Sequence, residues 1–154
     1  MSSKYTRDNF VSYLEAQLPT VKIVGDMSAE DELMKDFLEA NNIGPDDQWI
    51  GLQFLPGERR PRALAASNAN ACMREEGGVF IHVVAPLFPD PRNAILDLAD
   101  QVTNALELSR FGTDSDIIIR GFSTPNFEDG ATLQFTDGFT SASLILDYYR
   151  DFSR

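Results

Sequence analysis

The chain has 154 residues, 43% of them hydrophobic and 24% charged, which suits one compact domain and is too apolar for a mainly disordered one. Thirteen basic residues against twenty-four acidic ones leave a formal charge of −11. That excludes gripping nucleic acid through the surface as a whole, because such affinity comes largely from Lys and Arg displacing counterions.

The first segment places Phe10, Val11, Leu14 and Leu18 at helical spacing, and Pro19 predicts a stop near Leu18. Val21–Val24 has the brief alternation of a short edge strand before Gly25-Asp26 breaks it. Ser28-Ala-Glu-Asp31 has the form of a capping box, with Leu33, Phe37 and Leu38 as a narrow apolar stripe and Asn41–Pro45 as a stop. The window Asp26–Asp47 holds eight acids and one lysine, so the predicted helix Ser28–Asn41 is strongly acidic.

Trp49–Leu55 alternates Ile50, Leu52 and Phe54 on one face, which predicts a strand with one side on the core. From Glu58 to about Met73 neither period is present. Across Pro56–Arg74 the bases Arg59, Arg60, Arg62 and Arg74 stand against Glu58 alone, opposite in sign to the rest of the chain. Such a long aperiodic connection is either functional or disordered. With Val79 paired to the Trp49 strand, it becomes the tip of a long hairpin, an arm over about 56–74 that orders on a partner.

Val79–Ala85 is almost continuously apolar and predicts a central strand. Asp90 as N-cap and Pro91 at the first helical position open a helix whose buried stripe is Ile95, Leu98, Ala99, Val102 and Leu106, ending at Phe111-Gly112. Asp116–Arg120 predicts another strand, and Asn126–Phe135 has turn residues and room for one more. Thr140–Tyr149 closes the sheet with Ala142, Leu144, Leu146 and Tyr148 on one face. The expected architecture is α+β: a two-layer sandwich over a single domain, 1–154. Its mainly antiparallel sheet has four to five strands, packed by two or three helices and carrying a long flexible hairpin arm.

Residues for catalysis are sparse. The one histidine, His82, lies within the most apolar strand and reads as a satisfied core or interface imidazole, and Cys72 has no second cysteine to pair with. No phosphate-binding glycine loop occurs, and one Cys plus one His cannot make a zinc site. The acidic pairs Asp46-Asp47, Asp97 with Asp100, and Asp114 with Asp116 lack the spacing of a calcium loop. The expectation is no enzyme, no cofactor and no metal. No apolar run approaches the ~20 residues that span a bilayer, and the polar start, Met1–Asn9, lacks a signal-peptide core, so a cytoplasmic protein is expected. The basic cluster Arg59, Arg60, Arg62 and Arg74 is the candidate interaction site. An acidic body with a basic arm can meet its own copies head to tail, and such contacts build rings when the rotation closes.

Trp49–Gly57, a polar arm, Gly78–Pro86, a helix with Ala94–Asp100 and a final Ser143–Arg150 follow one another in an order and spacing that resemble the tail terminator (tail completion) proteins of long-tailed bacteriophages and related tail-like particles. The similarity covers roughly Trp49–Arg150, with the Phe10 helix fitting the family's first one; the acidic helix Ser28–Asn41 departs from the pattern. The resemblance implies a structural virion protein forming a hexameric ring on the tail tube. It would stop tube polymerisation and offer the surface that joins the head. It further implies contacts with its own copies, the tube protein and a head-side neck protein. DNA would pass through without specific binding, and the protein would be located in the virion neck after assembly in the host cytoplasm. The arm Glu58–Met73 would order in the ring, and replacing Arg59, Arg60 and Arg62 by Glu would be expected to spare the fold and block assembly. The alternatives are another neck or head-completion protein, and an acidic inhibitor that occludes a basic site.

Overall fold

The computed structural model describes residues 3–25, 38–55, 57–63, 72–86, 90–123 and 139–153. Helix α1 (Lys4–Gln17) is capped by Ser3, whose hydroxyl accepts the Thr6 N–H, and it ends at Leu18, just before Pro19. Strand β1 (Lys22–Val24) pairs parallel with β2 (Trp49–Phe54). Strand β3 (Glu58–Ala63) and β2 lie one after the other along the same edge of β4 (Cys72–Pro86). Helix α2 (Pro91–Leu106) follows, then β5 (Arg110–Phe111), β6 (Ile117–Phe122) and β7 (Phe139–Ser153). Among the described residues the sheet has seven strands in the order β1-β2-β4-β7-β6-β5, with β3 beside β4, and every pairing there except β1–β2 is antiparallel.

The α+β architecture follows from two apolar patterns meeting. The odd residues Val79, Ile81, Val83 and Ala85 of β4 and the even residues Ala142, Leu144, Leu146 and Tyr148 of β7 share one buried face. Phe10 and Leu14 of α1 pack there, as do Ile95, Leu98, Ala99, Val102 and Leu106 of α2. Phe10 sits at the centre, its ring edge-on to Phe54, Phe111 and Tyr148 at 4.8–5.6 Å. A smaller cluster, Trp49, Val84 and Phe139 with Val24 and Ile43, covers part of the opposite face, so β2 is buried on both sides rather than one.

The strand count exceeds the four to five expected, and the central strands are longer. β4 begins at Cys72 rather than Val79, and β7 runs on to Ser153. Their ladder is in register for all 15 residues, about 50 Å of ribbon at the usual rise per residue. The added stretch was hidden because charge pairs, not alternating apolar residues, hold it: Arg74 faces Asp151 and Glu75 faces Arg150 across the strands. The expected arm 56–74 is correspondingly strand-paired at both ends, Glu58 opposite Glu76 and Ala63 opposite Cys72, which makes its outer parts a hairpin stem. Residues 64–71 lie outside the described residues, as does most of the predicted acidic helix (26–37) and the segment Asn126–Phe135.

The end of that acidic segment is visible. Ile43 N–H donates to the Leu38 carbonyl and Asn42 N–H to that of Glu39, with Asn42 at φ 57°, a Schellman stop at the predicted place. Lys22 donates to Asp47, and this bond, then the Gly44 N–H, holds the Asp47 carboxyl below its ordinary range.

Candidate functional site

Phe54 stands opposite Val79 and Glu58 opposite Glu76, so the register shifts by one residue between β2 and β3, a bulge that separates the two paired stretches. Gly57 is required there, because a Cβ would come within 2.6 Å of the Glu76 carbonyl oxygen. Beyond the bulge, β3, β4 and β7 run on side by side, with β6 joined to β7 as far as Arg150, and this stem carries three of the four predicted interaction residues as described side chains.

The stem has two different faces. On the helix side, Arg59 reaches Glu75 at 3.3 Å while its guanidinium lies over the Phe152 ring. Glu75 is fully buried, and its carboxylate accepts from Arg59, Ser3 N–H, the Thr6 hydroxyl and, at 3.4 Å, the Tyr148 hydroxyl. Since Ser3 is the N-cap of α1, this carboxylate also stands at the positive end of the helix dipole. Next to it, Arg150 donates to Asp116 at 2.8 Å and lies 4.1 Å over Tyr5, whose hydroxyl donates to the other Asp116 oxygen. Tyr5 in turn accepts Thr113 N–H. Gly112 makes this approach possible: its φ is +93°, and a Cβ would meet Asp116 at 2.4 Å.

On the opposite face, Arg74 grips Asp151 with two parallel bonds of 2.8 and 3.0 Å and lies 4.3 Å over Tyr149. The bond to Asp151 raises its already high pKa further. Arg60 bonds Glu76 at 2.9 Å, and Arg120 approaches the same carboxylate at 3.8 Å. Five arginines are thus met by Glu75, Glu76, Asp116 and Asp151.

Local charge count along Pro56–Arg74 therefore misjudged the site. The carboxylates that answer the arginines come from Glu75 and Glu76, immediately after the counted window, and from Asp116 and Asp151 far along the chain. Arg59 and Arg74 are struts of the stem. Arg60, 59% exposed against 51% for Arg59, bonds the partly exposed Glu76 rather than a buried carboxylate, and for Arg62 the structure describes the backbone position only. Replacing Arg59 by Glu would set a second carboxylate against buried Glu75, so the triple Arg-to-Glu change expected to spare folding would damage it.

His82 is the satisfied imidazole that its setting implied. It is buried, with Nδ1 2.7 Å from the Ser143 hydroxyl and Nε2 3.1 Å from the Gln53 side-chain oxygen, and its ring stacks on Phe80. Nε2–H donates to Gln53 and Nδ1 accepts from Ser143; burial lowers the histidine pKa, leaving the ring neutral at pH 7. Cys72 is a free thiol near the outer end of the stem. Among the described residues, no three of His, Cys, Asp and Glu gather closely enough to hold a metal ion.

No protein-family model matches this chain, and none of the curated proteins does. A solved structure whose name carries no functional description is similar over 99% of this chain and 97% of its own, at 14% identity and a TM-score of 0.54. At that identity the likeness concerns the fold.

Proposed function

We propose that this protein is a structural ring component of the tail terminator type, closing the end of a phage-like tail tube and offering the surface for head joining. The observation that carries the reading is the stem. A hairpin stem continuous with the central β4–β7 ladder runs beyond the last core strand pairs, to Ala63 opposite Cys72, and supports a reading in which the arm meets a neighbouring copy. A rigid stem fixes where the arm points, so that ordering its end on a neighbour involves few residues and little entropy. The net charge of −11 fits a conduit through which DNA passes without being held. Hexameric closure, order of the arm in the ring, and contacts with tube and head-side neck proteins belong to this proposal, as does location in the virion.

Arg60 and Arg62 carry the contact: Arg59 is tied to fully buried Glu75 and Arg74 to Asp151, whereas Glu76, the partner of Arg60, is also approached by Arg74 and Arg120. The double substitution Arg60→Glu with Arg62→Glu tests this by sedimentation velocity over a wide concentration range. The expected result is a folded protein with a modestly lower melting temperature, since the change sets a carboxylate against Glu76, and loss of the large assembly expected of the wild type. Assembly equal to wild type would remove these arginines from the contact.

A further inference from the structure

The turn after α2 combines unusual features on one residue. Ser109 N–H donates to the Leu106 carbonyl at 3.0 Å, Glu107 has φ −60° and ψ 126°, and Leu108 has φ +56°. This is type II geometry, whose third position favours glycine. Leucine is held there in the left-handed region against its Cβ, and it is 89% exposed. A single exposed apolar side chain is ordinary on a protein surface. Here it adjoins a hollow of about 110 Å³ lined by Glu107, Leu108, Ile119, Arg120, Gly121 and Phe122. That space is comparable to the ~150 Å³ cavity left where a buried leucine is deleted. One exposed acid and one half-exposed base, Glu107 and Arg120, flank it.

We propose that this patch is a self-complementary contact for a second copy of the chain. Leu108 of each copy enters the hollow of the other, and Glu107 of each faces Arg120 of the other. A knob and a socket on one patch, flanked by opposite charges, match under a two-fold axis, which brings each element onto its counterpart. The occupant follows from charge. Copies of so acidic a protein repel one another at range, so a contact between them needs local pairing of opposite signs, and this patch supplies it twice. The pairing uses neither Arg60 nor Arg62; Arg120 also approaches Glu76 of the stem, but Leu108 and Glu107 lie apart from it, so substitution at Leu108 separates this contact from the ring contact proposed above.

Sedimentation equilibrium of full-length protein up to millimolar concentration tests it. Leu108→Asn keeps a residue that tolerates the left-handed region. It is expected to raise the dimer dissociation constant at least about tenfold, as removal of a buried leucine from each half predicts, with no drop in melting temperature. Glu107→Arg is expected to weaken pairing, and adding Arg120→Glu to restore it. Wild type that stays monomeric at millimolar concentration overturns the proposal. So does pairing unchanged by Leu108→Asn, or lost only in the Arg60→Glu, Arg62→Glu protein. Loss of pairing in Leu108→Asn with ring assembly intact supports it while leaving the arm contact untouched.

Discussion

Glu75 joins the parts of this molecule that its sequence keeps farthest apart. Its buried carboxylate receives the start of α1, an arginine of β3 and a tyrosine of β7, so removing it orphans several donors together. Glu75→Ala is expected to lower unfolding stability by about 2–4 kcal/mol, less than a fully buried ion pair would because Arg59 can turn to water. Urea denaturation measures it, and a loss below about 0.5 kcal/mol, the range of a surface substitution, would deny Glu75 its role. His82 gives a prediction in pH. Its folded pKa is lowered by burial, so the unfolded chain takes up a proton first, near 6.5. Stability is then full above that value and declines as pH falls below it. The melting temperature should drop between pH 7 and 5 in wild type and drop less in His82→Gln; equal slopes would mean that His82 is not the titrating group.

At the scale of elements, what could be read in advance was what apolar spacing encodes. The stripe of α2 and the core face of β7 come from side chains that must leave water, and the stops at Pro19 and Asn42 from residues that cannot continue a helix or that tolerate its left-handed cap. The stem leaves no apolar signal in the sequence because its strands satisfy themselves across the sheet. Met73-Arg-Glu-Glu76 and Arg150-Asp-Phe152 show no period of their own, and their pairing is non-local. The arginines were legible as a cluster but not their partners, two of which lie in β7 and before β6. The bulge at Gly57 sets where core sheet gives way to stem. Gly57→Ala forces a methyl against a main-chain oxygen that cannot swing aside, and should cost about 1–3 kcal/mol in urea denaturation. Wild-type stability would show that the bulge relaxes freely.

At the scale of the whole molecule, the sheet divides labour along its length. Near Pro86 and Phe139 it is a core buried on both faces, and near Cys72 and Ser153 it is a stem braced by arginine, carboxylate and aromatic contacts. The fold is shared with a solved structure at low identity, and the surface of this chain carries an acidic body, a half-exposed Arg60 and the Leu108 turn. On the proposed function, copies of this chain close on themselves through the arm. Negative-stain electron microscopy of the concentrated wild-type protein addresses it most directly. Closed rings with an open centre, absent from the Arg60→Glu, Arg62→Glu protein imaged alongside, are the predicted result. Single particles of monomer size at every concentration, or rings indifferent to that substitution, would contradict it.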